Sequence, residues 1–229
     1  MFFYYDYYYL VLVVPALIIS LIAQVVVQST YKKYAQVLSA RGITAQEVVN
    51  RILKINGISN VGVERTRGNL TDHYDPKSNM IRLSDSVYGN ASVASIGVAA
   101  HEAGHAVQYA SGYTPIKIRN AVLPAANFGS KLSVPLIILG FFLGMPALVD
   151  FGIILFSLVL VFQLVTLPVE FNASRRAIAV LDQSGILDGE ELTGAKKVLR
   201  AAAMTYVAAV LTSLAQLLRL LLLSRRRND

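Results

Sequence analysis

Polar and apolar residues in this chain are separated into long blocks, and the blocks set most of the predicted elements. Leu10 to Val27 carries Gln24 as its one strongly polar residue, a length that crosses the hydrocarbon core of a bilayer as a helix. The aromatic block FFYYDYYY around its start has the amphipathic character of a membrane-interface belt. Met1 to Tyr9 lacks Lys and Arg, and the apolar run ends in VVVQSTYKK rather than at a small-residue cleavage site, so the segment reads as a retained anchor and not a signal peptide. Val134 to Val169 is long enough for two passes and is broken near its middle by Gly144, Met145, Pro146 and Asp150, which predicts a transmembrane hairpin. Ala201 to Leu223 is apolar apart from Thr205, Thr212, Ser213, Gln216 and Arg219. Its small residues let helices approach closely, and Arg219 is expected to be tolerated only by snorkelling.

Tyr31 to Lys131 is the one sizeable polar stretch. Thr44 followed by Glu47 reads as a capping box that opens a helix through Val48, Val49, Ile52 and Leu53, closed by Asn56-Gly57. Val61 to Arg65 alternates as a half-buried strand does, Arg67-Gly68-Asn69 marks a turn, and Met80 to Leu83 predicts a second short strand, giving a small β-hairpin. A further helix begins near Asn90 to Ser92. The chain shows no internal repeats and no low-complexity linker.

Composition supports a membrane protein: of 229 residues, 55% are hydrophobic and 15% charged, with a mean hydropathy of +0.52. The net charge of +7 is concentrated beside the apolar blocks, which fits anionic lipid, and no nucleic-acid recognition motif accompanies it. Lys32, Lys33 and Arg41 follow the first block, Lys117, Arg119 and Lys131 precede the second, and Arg175, Arg176, Lys196, Lys197 and Arg200 lie before the last, whereas GMPALVD has no basic residue. The positive-inside rule then puts the polar segments in the cytoplasm and the amino terminus outside. Arg225, Arg226 and Arg227 resist this arrangement if the last block crosses fully. With no cysteine, a metal in this chain must use His and carboxylate ligands.

The candidate chemistry lies in VAAHEAGHAVQYA. His101 and His105 stand four apart, on one face of a helix, and only these two and Glu102 are strongly polar among small and apolar neighbours from Val93 to Ala106. Two imidazoles on one face can take two corners of a tetrahedral Zn²⁺ site, with the intervening glutamate serving a water. A third ligand must come from elsewhere. The metzincin spacing is excluded, because Gln108 and Ser111 stand where a glycine and a third histidine would be needed. His73, Asp75, Glu170 and Asp188 remain. Glu170 is favoured: it lies between Val169 and Phe171 directly after the third apolar span, where an isolated carboxylate is expensive unless a cation compensates its desolvation.

LTDHYDP, the strand ending RLS, GVAAHEAGHAVQYA, LPVEFNASRRA and AAAMTYVAA together resemble the bacterial neutral zinc membrane metallopeptidases, the YugP-type membrane proteases. A more distant likeness is to the gluzincin membrane proteases, in which a glutamate of an ExxxD arrangement is the third ligand; this carries over to Glu170. Ser174 stands where that aspartate would orient a ligand histidine. Asp188 stands in LDG, a tripeptide resembling the third-ligand motif of site-2-type intramembrane proteases, but its surroundings are polar. The resemblance implies a mainly α, membrane-anchored zincin-like (gluzincin) core with about four transmembrane helices. The implied organisation is an anchor over 1–30, a cytoplasmic zincin-like region over 31–131, a hairpin over 132–169, a third-ligand segment over 170–200 and a last membrane helix over 201–229. It further implies zinc held by His101, His105 and Glu170, with Glu102 catalytic and peptide or membrane-protein substrates. His73, Asn172 and Ser174 are candidates for supporting the ligands or touching substrate. The rivals are a non-catalytic scaffold whose structural metal recruits His73 or Asp75 as a fourth donor, and a transporter component.

Overall fold

The computed structural model describes residues 6–228. Phe2 to Tyr5 of the aromatic block and the side chains of Arg226 and Arg227 lie outside the described residues. A π-helical turn, Tyr9–Val13, leads into α1 (Val14–Ala35). There follow α2 (Ala45–Ile55), β1 (Gly62–Thr66), β2 (His73–Asp75), β3 (Met80–Ser84), α3 (Val93–Ala110), α4 (Thr114–Leu143), α5 (Pro146–Gln183) and α6 (Gly189–Asn228). Among the described residues four helices are long and apolar enough to cross a membrane, beginning at Tyr9, Thr114, Pro146 and Gly189. The chain divides into two compact units, one of Met1–Gln24, Lys117–Leu167 and Met204–Asp229, the other of Val25–Ile116 and Pro168–Ala203.

The first unit is built from the apolar helices. α4 and α5 are separated only by Gly144 and Met145, and Gly144 takes the positive φ of +71° that ends α4. Below this turn the two helices pack through glycines: a Cβ on Gly152 would meet the Ser133 carbonyl at 2.9 Å. Ile137, Val149, Ile153 and Leu220 form a buried cluster that joins α6 to this hairpin. α1 runs antiparallel to α6, with Ser20 Oγ 2.9 Å from Thr212 Oγ1 near the middle and Arg219 paired with Asp6 at the end. Arg219, expected to be tolerated only by snorkelling, is held in an ion pair, Nε to Asp6 Oδ2 at 2.7 Å, with the Tyr9 ring 5.3 Å from the guanidinium. A charge with a bonded partner does not have to reach water. Ser224 donates to Asp150 at 2.8 Å, so within this unit α6 extends as far as the start of α5.

The second unit has its own core. The capping box forms as the sequence suggests: Glu47 N–H donates to Thr44 Oγ1, and Thr44 N–H donates to Glu47 Oε2 at 2.8 Å. Val48, Val49, Ile52 and Leu53 on one face of α2 are buried against Ile96, Ala99, Ala100 and Ala103 of α3 and Ala177 and Leu181 of α5. Ser92 caps α3 by accepting from Ser95 N–H. The sheet corrects the hairpin read from the sequence. The two strands foreseen, β1 and β3, are parallel neighbours, and the hairpin is made by β3 with β2, an unforeseen strand of three residues. After β1 the chain makes an excursion along the far edge, so the order is β1-β3-β2 with β3 central. Asp72 fixes that excursion by accepting from Ser84 N–H at 2.8 Å and from Ser84 Oγ at 2.9 Å.

Asp6→Ala should lower stability in detergent by about 2 kcal/mol, because it leaves the Arg219 guanidinium without its partner. Adding Arg219→Leu should restore most of the loss, as read from thermal unfolding of the single and double variants.

Candidate metal centre

α3 presents His101 and His105 on one face, their rings 4.7 Å apart and nearly perpendicular at 84°. α5 crosses this face closely because Gly104 has no side chain: a Cβ there would stand 2.6 Å from the Ala173 carbonyl oxygen. The crossing sets Glu170, one turn before Ser174 on α5, against both imidazoles. Glu170 Oε2 is 3.2 Å from His101 Nε2 and 3.6 Å from His105 Nε2. One donor atom from each of the three residues lies within 4.8 Å of the others.

These separations fit a cation. Zinc bonds nitrogen and oxygen at about 2.0–2.2 Å, so two ligands of a tetrahedron stand about 3.3 Å apart, between the two Nε2 to Oε2 distances observed. The donor set, two imidazoles and a carboxylate, is of the kind that zinc takes in catalytic sites. Glu170 keeps only 5% of its side chain exposed while His101 and His105 keep 15% and 13%, so the cluster is shielded on the α5 side and reaches solvent past the histidines.

Neighbouring groups hold the imidazoles. Ser174 Oγ lies 3.1 Å from His101 Nδ1, and Gln108 Oε1 lies 3.0 Å from His105 Nδ1. Burial disfavours the His105 imidazolium, yet the hydrogen bond to Glu170 and the charges of Glu102 and Glu170 outweigh it, and its pKa is raised. Glu102 is buried between the histidines in sequence, and its Oε2 accepts from the backbone N–H of Tyr74 on β2 at 3.0 Å. Asp72 is close enough for the Glu102 charge to act on it. Its pKa is raised, chiefly by burial and despite the two Ser84 donors, with Glu102 adding to the shift.

The remaining candidates are placed elsewhere. His73 is exposed on β2, and its Nδ1 bonds the Thr71 carbonyl at 2.9 Å. Asp75 is committed to the Ser78 hydroxyl at 2.7 Å, the Lys77 N–H at 2.9 Å and Arg82 at 3.0 Å, which together hold its carboxyl well below the usual range. Asp188 is exposed just ahead of α6, outside the cluster. Asn172 Oδ1 accepts from Gln108 and Arg176, so Gln108 links it to His105. Gln108 and Asp72 were missed as site residues. Gln108 stands three positions after His105 on the same helical face, but its complete burial is seen only in the structure, so the spacing alone did not single it out.

A model of the family described as putative neutral zinc metallopeptidase matches residues 9–225. The chain belongs to this family. It is also 46% identical, over 218 residues, to a Bacillus subtilis (strain 168) protein named "Putative membrane protease YugP", covering 95% of this chain and 97% of that protein. No solved structure matches. The family match takes in all four apolar helices and the His101, His105 and Glu170 cluster together.

Gly104→Ala forces the backbone of α5 off α3, because the nearest obstacle is a carbonyl and not a flexible side chain. Thermal unfolding should show a loss of about 1–3 kcal/mol, and zinc uptake measured in the same preparation should weaken with it.

Proposed function

We propose that this protein is a membrane-integrated zinc endopeptidase in which His101, His105 and Glu170 hold the ion and Glu102 is the catalytic base. The observation that carries this reading is the approach of one Glu170 oxygen to both Nε2 atoms, at 3.2 and 3.6 Å. Three donors make up the cluster among the described residues, which leaves a fourth position for water or substrate and favours a catalytic over a closed structural site. His73 and Asp75, the fourth donors that a structural site would need, are engaged elsewhere.

When bound, zinc supplies a Lewis acid that acidifies water and polarises a carbonyl. Glu102 takes the proton of the attacking water at its carboxylate and returns it to the leaving amine. The Tyr74 N–H keeps that carboxylate in one orientation before substrate arrives. Hydrogen bonds that join His101 to Ser174 and His105 to Gln108 hold each ring so that Nε2 faces Glu170. β2 is an edge strand beside Glu102, and an extended peptide can pair with such an edge as an added strand.

We place the protein in the cell membrane as a four-pass protein with the site facing the cytoplasm. The basic residues flanking the polar segments, from Lys32 through Arg200, support that orientation. The antiparallel run of α6 along α1 supports a complete fourth crossing, which makes the Arg225 to Arg227 cluster a local exception to the charge rule.

Glu102→Gln should retain zinc by elemental analysis and lose about 10²–10⁴-fold in turnover of casein. Glu170→Ala should lose the zinc itself; a variant that kept stoichiometric metal would remove Glu170 from the ligand set. Because a proton competes with the ion for His105 Nε2, and the His105 pKa is raised, zinc affinity should rise with pH through the neutral range and should not level off until above the ordinary imidazole pKa. Competition with a chromophoric chelator at a series of pH values reads this directly.

A further inference from the structure

Two histidines of this site are held in chemically different ways. His101 Nδ1 faces the hydroxyl of Ser174, and a hydroxyl can donate or accept. His105 Nδ1 faces an amide, and the structure fixes which way round that amide stands. Arg176 Nε is 2.8 Å from Asn172 Oδ1. A guanidinium only donates, so the Asn172 atom is an oxygen. That oxygen is also 3.0 Å from a terminal atom of the fully buried Gln108 side chain, and the same Gln108 atom lies 2.8 Å from the Val169 carbonyl. Two acceptors demand a donor, so this atom is the Gln108 NH₂ group. The other terminal atom, 3.0 Å from His105 Nδ1, is therefore an oxygen, and it can only accept. His105 Nδ1 must carry a hydrogen.

We propose that Gln108, Asn172 and Arg176 are positioning residues that fix a proton on His105 Nδ1 and so present Nε2 as the bare nitrogen to a cation. The role in metal binding rests on the reading of His105 as a zinc ligand; the proton assignment does not. The relay starts from two groups with fixed roles, a guanidinium and a backbone carbonyl, and both belong to α5, the helix that also brings Glu170. Arg176 is itself steadied on the Tyr113 ring, 5.8 Å from its centroid. The relay makes a ligand on α3 dependent on the seating of α5 at two points, Glu170 on one side of the imidazole and Gln108 on the other.

The full-length protein labelled with ¹⁵N-histidine, in detergent and free of metal, tests the first half. With three histidines in the chain, single substitutions of the other two assign His105. Its Nδ1 should report a bound proton at alkaline pH, where imidazoles are neutral; a bare Nδ1 overturns the proposal whether or not the protein binds zinc. Zinc competition with a chelator tests the second half. Gln108→Met and Asn172→Leu should each weaken zinc about 10–100-fold, whereas Asn172→Asp, which keeps an acceptor oxygen for both Gln108 and Arg176, should bind at least as tightly as the parent. Equal affinity in a folded Gln108→Met variant, or a loss in Asn172→Asp as large as in Asn172→Leu, would overturn the positioning role. A parent protein that binds no zinc but shows the protonated Nδ1 would remove the ligand reading alone.

Discussion

The crossing of α3 over α5 at Gly104 is the constraint on which the site depends. With hydrogen in place of a methyl group, the α3 backbone comes within reach of the Ala173 carbonyl, and only at that range can a carboxylate on one helix meet two imidazoles on the other. Around this contact the packing is made of small residues, Ala99, Ala100, Ala103, Ala106 and Ala177, which keep the helices near without filling the space where the polar groups converge. Interiors packed at crystal-like density do not give way to an added methyl. Shape therefore comes before chemistry here: the glycine that stands between the two histidines of the motif in sequence is what brings them against Glu170 of α5 in space.

The polar groups form one connected set. Glu170 engages both imidazoles, Ser174 and Gln108 take their outer nitrogens, Asn172 and Val169 hold Gln108, and Arg176 holds Asn172. Buried polar groups are costly unless each is bonded, and this set meets that demand mostly from a single stretch of α5. The helix positions 169, 170, 172, 174 and 176 spread around more than one face, so α5 touches the α3 cluster at its side chains and at one backbone carbonyl. α5 also carries Pro168, whose missing N–H falls immediately before this stretch without ending the helix.

Local patterns were legible in the sequence and long-range pairings were not. The i,i+4 spacing of His101 and His105 and the Thr44/Glu47 box act within one or two helical turns, so spacing alone expresses them. Glu170 was legible for a different reason, as a carboxylate stranded between apolar neighbours. Gln108 was not, because the partners that orient its amide are 61 and 64 positions away and its spacing from His105 marks no chemistry by itself. β2 escaped because three residues carry too little alternation to register, and without it the parallel pairing of β1 with β3 reads as a hairpin. The Arg219 pair with Asp6 spans 213 positions, and a lone arginine in an apolar run gives no hint of its counter-ion.

The Tyr74 amide has a consequence for how a polypeptide could lodge beside the motif. Its hydrogen, turned away from the neighbouring strand, is already held by the Glu102 carboxylate. On the proposed peptidase reading, a guest chain laid along that rim would compete for this hydrogen, and taking it would free the carboxylate proposed as the base. Occupancy of the rim and liberation of that carboxylate would then be a single event, timed by one N–H.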